Sequence, residues 1–188
     1  MSTRREQPIG RRTYLKALGV GAVTAGAFAT PAAAHRGGLK GELAKVRSAT
    51  AKYNNLDNAL ADGYVQVTPF VPGQGYHYAK MSLIGTLDPL KPQALTYGQA
   101  GDGKPVYGSI EYLVPKAGQY ANSPPDVFAH DDPDESSGNH EHWDIVDLNE
   151  GVPGADPFLV WALHVWVHTH NPDGVFHHSN PRRLFHPE

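Results

Sequence analysis

Residues 159–171 read LVWALHVWVHTHN, the most apolar run of the chain outside its N-terminus. Valine and tryptophan favour a strand here, and the side chains of a strand alternate between its two faces. His164, His168 and His170 then share one face with Trp166. If the run were helical, His164 and His168 would still be neighbours, because residues i and i+4 lie on one side of a helix. The sequence therefore predicts a histidine-based site on this element.

The remaining pattern predicts a domain of the α+β class. Apolar residues recur at spacings of three and four over residues 39–62, which is typical of an amphipathic helix. Asn54-Asn55 can break or kink this helix, and Gly63 can end it. Short strands are predicted at residues 64–68, 94–97 and 105–115. We expect an antiparallel β-sheet with one long N-terminal helix packed on a face, because no second long helical pattern separates the later strands; a small β-barrel is the alternative.

The N-terminus has the three parts of an export signal. Arg11-Arg12 lies in a motif that resembles the twin-arginine signal, an apolar run follows at residues 18–29, and small residues at 31–34 form a cleavage site. The apolar run is shorter than the ~20 residues that span a bilayer. We therefore expect residues 1–34 to be a twin-arginine signal peptide, residues 35–188 to be a single globular domain, and the mature protein to be secreted or periplasmic without a stable membrane span.

Composition limits the kinds of site that the chain can build. It has no cysteine and only two methionines, so metal ligands must be imidazoles or carboxylates, and a cysteine nucleophile is excluded. Eleven histidines are present. Removal of the signal peptide would remove five of the 16 basic residues but only one of the 19 acidic ones. The mature chain would therefore have a more negative net charge than the −3 of the full sequence. This balance argues against nucleic acid and against an anionic membrane surface as partners.

Two further residues stand out as candidate ligands. Glu111 lies in residues 105–115, where both faces of the predicted strand are largely apolar, so the strand should be central and covered. A buried carboxylate is costly unless it is paired or bound to a metal, so Glu111 is either a ligand or general base, or the partner of a lysine or arginine. His77 follows a glycine turn between Tyr76 and Tyr78, a position suited to the edge of a pocket.

A His-x-His pair supplies two more candidates, His140 and His142. In a strand, both imidazoles of such a pair point to one face and can chelate a transition metal. The neighbouring Gly138 and Glu150 do not have the spacing of the cupin signature. Exposure in a histidine-rich loop is the alternative for this pair.

Short motifs spread over most of the chain after residue 34 carry a resemblance to other proteins. They are AKY at 51–53 with ADGY at 61–64, GYHY at 75–78, IEYLVP at 110–115, LHVW at 163–166, NPDGVF at 171–176 and NPR at 180–182. Together they resemble a set of uncharacterised, twin-arginine-exported proteins of actinobacteria and haloarchaea. The resemblance implies no activity, but it singles out His77, Glu111 and His164 as the polar members of otherwise structural motifs. His168 and His170 stand where such proteins are expected to carry aromatic or amide residues.

Two main functions fit these residues. The first is an exported protein that binds a divalent transition metal, namely zinc, iron, manganese or copper. Its predicted ligands are His77, Glu111, His142 and His164, with His140 as the substitute from its pair. A coordination position open to water would permit hydrolysis or oxygen chemistry, so whether the protein is an enzyme stays open.

The second function is a non-catalytic binding module for a small molecule in an aromatic-lined pocket. The residues that would line it are Tyr76, Tyr78, Tyr107, Tyr112, Trp143 and Trp166. A third possibility arises if the signal is cleaved after Ala34, because the amine and imidazole of His35 could then chelate copper with one further histidine.

Overall fold

The computed structural model describes residues 38–186. Helix α1 spans Gly38–Thr50 and continues as a 3₁₀ turn, Ala51–Asn54, before the short helix α2, Leu56–Ala61. The predicted break is confirmed at Asn55, whose side chain accepts a hydrogen bond from a backbone N–H of α2 and so caps that helix.

Six strands follow in one sheet, and every neighbouring pair is antiparallel. They are β1 Val65–Gln66, β2 Tyr76–Ala79, β3 Ala94–Gln99, β4 Pro105–Pro115, β5 Asp144–Asp147 and β6 Leu159–Val165. Their order across the sheet is β1-β2-β3-β4-β6-β5. This arrangement confirms the predicted α+β fold. The sheet ends at β1 and β5, so it is open and does not close into the alternative barrel.

One face of the sheet packs against the N-terminal helices and holds the larger hydrophobic core. Ile110, Tyr112 and Leu163 are fully buried on this face and belong to the same cluster as Val46 of α1. The hydroxyl of Tyr97 donates a 2.7 Å hydrogen bond to the backbone oxygen of residue 53. Burial of these large side chains is the main force that holds helix and sheet together.

The opposite face of the sheet carries small and titratable side chains. Ala79 pairs with Ala94, Ala94 with Glu111, and Glu111 with His164, so these four residues form one row across the sheet. Ala162 lies in the next row, opposite Leu113. Because alanine fills little space, this face retains a cavity instead of a second packed layer.

Strand β6 ends earlier than residues 159–171 predict. After Val165 the backbone turns, with the N–H of Val167 donating to the oxygen of Val165. His168 therefore reaches the helix side, where its ring stacks on Tyr107 and its Nε2 lies 2.8 Å from Oγ1 of Thr50. The prediction that His164, His168 and His170 share one face was wrong, because the strand geometry on which it depends stops at Val165.

The C-terminal segment folds back onto the sheet. The aromatic ring of Phe185 fits where β3 and β4 carry Gly98 and Gly108, and a Cβ atom at either glycine would lie within 2.8 Å of that ring. The backbone N–H of Asn180 donates to the oxygen of Gly73. These contacts bring the loop after β6 beside the start of β2.

The predicted signal peptide and His35 lie outside the described residues. Within residues 38–186 no helix combines the length and the apolar character that a membrane crossing requires.

Candidate metal centre

Three of the predicted ligands, His77, Glu111 and His164, meet on the alanine-bearing face of the sheet. They come from β2, β4 and β6, and one donor atom of each lies within 4.8 Å of the other two. All three are buried, with exposed fractions of 6, 6 and 2%. Nε2 of His164 lies 3.6 Å from Oε1 of Glu111. Strand β3 separates β2 from β4, and Ala94 at this point is small enough to let their side chains approach across it.

Hydroxyl groups hold both imidazoles by their Nδ1 atoms. Nδ1 of His77 lies 3.0 Å from Oγ1 of Thr68, and Nδ1 of His164 lies 3.1 Å from Oγ of Ser109. The Ser109 hydroxyl is in turn 2.7 Å from that of Thr96. When a hydroxyl oxygen accepts a hydrogen from Nδ1, the imidazole is in the tautomer that carries its proton on Nδ1. Nε2 then has a free lone pair with which it can bind a metal.

Burial keeps the cluster neutral when no cation is bound. It raises the pKa of Glu111 to about 8, partly opposed by nearby His178. Burial, with smaller effects of the neighbouring histidines, lowers the pKa of His77 to about 4 and that of His164 well below its usual value. The imidazoles are therefore in the neutral form that metals require, and a divalent cation would displace the proton of Glu111.

Glu111 has no lysine or arginine partner within residues 38–186. Its one ion-pair contact there is His164, and the charged groups that act on its pKa are His178 and Asp144. The salt-bridge alternative for this carboxylate therefore finds no support in the described part of the chain.

A cavity of about 670 Å³ opens onto the cluster. Its wall is mainly aliphatic, and its members include Val67, Val71, Met81, Ile84, Leu113, Val146 and Leu148. Thr68, Gln74 and His178 add polar groups to the lining. A volume of this order and a few converging polar groups are typical of small-molecule sites.

His178 also lies beside the cluster, although it was not among the predicted ligands. Its Nδ1 pairs with a carboxylate oxygen of Asp144 on β5, and its Nε2 contacts the amide of Gln74. Its ring centroid lies 5.4 Å from that of His164. The hydrogen bond to Asp144 raises the pKa of His178. No local motif marks this position, because the return of the C-terminal segment onto the sheet brings it there.

His140 and His142 lie apart from the cluster. The expected strand at residues 140–142 is absent, and the two rings face a separate, smaller surface pocket. Nδ1 of His140 lies 2.7 Å from the backbone oxygen of Asp132, and Nε2 of His142 lies 3.2 Å from the backbone oxygen of Ser137. The pair was expected to join the other ligands, but its backbone follows a local loop instead of a strand of the sheet.

The residue between the two histidines, Glu141, is buried instead. It accepts hydrogen bonds from the backbone N–H groups of Val127 and Phe128 and from Nε1 of Trp143. This carboxylate ties the loop to the chain before it. The burial of Glu141 was not predicted, because the adjacent histidines carried the stronger chemical signal.

The aromatic residues proposed to line a pocket do not line the larger cavity. Tyr107 and Tyr112 are buried in the core on the helix side of the sheet, and Tyr78 packs against that core. Trp143 borders the smaller surface pocket. Trp166 donates to the backbone oxygen of residue 177.

Comparisons with known proteins do not indicate a function for the chain. No protein-family model matches the chain, and no curated protein and no solved structure matches it at a significant level. The chemistry of the buried His77, Glu111 and His164 cluster is therefore what indicates the function.

Proposed function

We propose that this protein binds one divalent transition metal through His77, Glu111 and His164. The single observation that carries the proposal is a buried carboxylate with no lysine or arginine partner in residues 38–186, within ligand distance of two neutral imidazoles. Such a carboxylate is costly to bury, and a bound cation would offset that cost. Two imidazoles and one carboxylate suit zinc, iron, manganese or copper.

A metal held by three protein donors would keep at least one coordination position for another ligand, and the three residues line the cavity. Structural zinc sites usually have four protein ligands, whereas sites that exchange ligands keep three and leave a position for water or substrate. His140 and His142 are not needed in this ligand set. The hydroxyls of Thr68 and Ser109 would orient the imidazoles, as outer hydrogen-bond partners do in metal sites.

We also propose that the protein works outside the cytoplasm. The support is the order of the basic motif, apolar run and small-residue cleavage site in residues 1–34. Replacing Arg11 and Arg12 together by lysine should retain the precursor inside the cell. Export of that variant at the wild-type level would contradict the twin-arginine route.

Metal analysis of untagged protein tests the metal proposal directly. We expect about one equivalent of metal per chain, lost in His164→Ala and Glu111→Gln because each removes a donor. His170→Ala is the matched control, since His170 is exposed and lies outside the cluster. Equal losses in His164→Ala and His170→Ala would contradict the ligand assignment. Less than about a tenth of an equivalent in the wild type, with no uptake on titration, would refute the metal proposal.

A second candidate function is non-catalytic binding of a small molecule in the cavity. The observation that favours it is the mainly aliphatic volume of about 670 Å³. Glu111 separates the two functions, because a module that only holds an apolar ligand gains nothing from a carboxylate buried beside imidazoles. Binding of a ligand with equal affinity to metal-free wild type and to Glu111→Gln would favour this second function.

A further inference from the structure

We propose that the cavity binds a small organic acid, with its apolar body against the aliphatic wall and its carboxylate at the metal position. This inference rests on the proposed metal site and deepens it, because it names the class of molecule that would occupy the open coordination position. It follows from the shape of the cavity, the residues of its wall and the charge of the cluster.

The wall of the cavity fits an apolar body. Ala79, Ala94 and Ala162 form part of the lining on three strands, and each is almost completely buried. Larger aliphatic residues such as Ile84 and Leu113 border them. An apolar chain placed here would lose its contact with water, and each buried methylene contributes about 0.8 kcal/mol in transfer measurements, or about a fourfold gain in affinity.

The charge of the metal-bound cluster favours an anionic end. Two neutral imidazoles and one carboxylate would leave a divalent cation with an excess of about one positive charge. Because the cluster is buried, this charge is poorly screened by water, and a carboxylate at the open position would neutralise it. An alkylammonium end would be repelled, and an alcohol would bring no charge.

Other charged groups near the cavity do not reverse this preference. Asp144 is already paired with His178. Asp147 accepts hydrogen bonds from the backbone N–H groups of Asn149 and Phe158. Glu150 lies at the rim and is exposed, so solvent and salt screen its charge. Gln74 lines the cavity and has a second amide hydrogen beyond its contact with His178, which can be donated to a carboxylate oxygen.

Calorimetric titration with matched eight-carbon probes tests the inference. Octanoate, 1-octanol and octylammonium are titrated into zinc-loaded and metal-free protein at one pH and ionic strength. We expect octanoate to bind zinc-loaded protein at least about tenfold more tightly than metal-free protein and than the other two probes bind. Across hexanoate, octanoate and decanoate we expect the affinity to rise by up to about fourfold per methylene.

Cavity-filling variants locate the bound molecule. Ala162→Leu, and Ala79→Leu as a second variant in a different strand, should reduce octanoate affinity at least about tenfold while one equivalent of zinc remains bound. Ala61→Leu is the control with the same change in size, because Ala61 is exposed at the end of α2. Circular dichroism is used to confirm that each variant is folded.

The outcomes separate this inference from the metal proposal. Zinc binding at one equivalent with no octanoate binding would overturn the inference and leave the metal proposal standing. Octanoate binding of equal strength with and without zinc, or binding of octylammonium as tight as that of octanoate, would also overturn it. Full octanoate affinity in both zinc-loaded cavity-filling variants would place the molecule elsewhere and overturn the inference as well.

Discussion

The two faces of the sheet are built from the same strands but have different contents. On the helix side, Tyr112 and Leu163 pair in register and are fully buried in the larger core. One residue along each strand, Glu111 and His164 also pair in register, but they face the cavity. Adjacent residues of one strand can therefore serve stability on one face and binding on the other. Substitutions on the two faces should then have separable effects on folding and on metal uptake.

The largest expected effect is the loss of stabilisation by metal in Glu111→Gln. At free zinc about 1,000-fold above its dissociation constant, wild-type protein should gain about 4 kcal/mol in free energy of unfolding. Glu111→Gln should gain almost nothing, because the charged donor is missing. Urea denaturation with and without zinc measures the difference. The same gain in both proteins would show that zinc acts at another place.

A substitution on the helix face should lower the stability of the metal-free protein and leave zinc binding unchanged. Leu163→Ala removes a fully buried side chain from the core and should lower the free energy of unfolding of metal-free protein by about 3 kcal/mol. Zinc stoichiometry, measured on protein that is still folded, should stay at one equivalent because the cavity face is unchanged. If folded Leu163→Ala lost its zinc, the two faces would not be independent.

Removal of a hydroxyl group that contacts an imidazole of the cluster should have an intermediate effect, on zinc affinity. Ser109→Ala removes the group that holds Nδ1 of His164, so we expect zinc affinity to fall about 10- to 100-fold with the stoichiometry unchanged. Competition with a chromophoric chelator measures the affinity. Thr86→Ala is the control, because it removes a hydroxyl whose partners lie outside the cluster. An equal fall in both variants would contradict a role of Ser109 in orienting His164.

The fold class could be predicted from the sequence, and the five predicted ligands include the three residues that form the cluster. Alternation of side chains separates the two faces of a strand, and a carboxylate within an apolar strand is a strong local signal, so Glu111 could be found without the structure. The helical spacing of residues 39–62 and the break at Asn55 could be found in the same way. Each of these features depends on residues close together in the chain.

The remaining parts of the site depend on contacts between distant segments. His178 meets Asp144 of β5 because the C-terminal segment, which has no periodic pattern, returns to the sheet, and alternation alone does not specify where it returns. Ser109 reaches His164 through cross-strand register, which local spacing does not reveal. The His-x-His pair was misplaced for the same reason, since its spacing would align both rings only if the segment were a strand.

A histidine on the helix face offers a smaller, pH-dependent test. Burial, together with the smaller effect of the charge of Arg47, lowers the pKa of His168 to about 4, whereas an unfolded histidine titrates near 6.5. On acidification the unfolded chain takes up this proton first. The contribution of His168 to the free energy of unfolding is therefore complete above about pH 6.5 and is lost as the pH falls toward 4.

His168→Phe keeps a ring against Tyr107 but cannot be protonated. Metal-free wild type should therefore lose about 1 kcal/mol more than this variant between pH 6.5 and pH 5, a value reduced for partial exposure of the ring. Urea denaturation at the two pH values measures the difference. The loss of the bond to Thr50 lowers the stability of the variant at both pH values and cancels in the comparison. Parallel pH curves would contradict the buried, neutral state of His168.

The smallest effect is expected from the His-x-His pair, which lies on neither face of the sheet. His142 makes a contact with the oxygen of Ser137 at the surface, so His142→Ala should change the free energy of unfolding by less than about 0.5 kcal/mol. Zinc stoichiometry and affinity should equal those of wild type, because His142 does not reach the cluster. Metal analysis of His142→Ala beside His77→Ala gives the sharpest contrast, since each variant removes one imidazole. A loss of zinc in both would mean that the loop at residues 131–143 moves onto the site when metal binds, and that the two faces of the sheet alone do not account for metal binding.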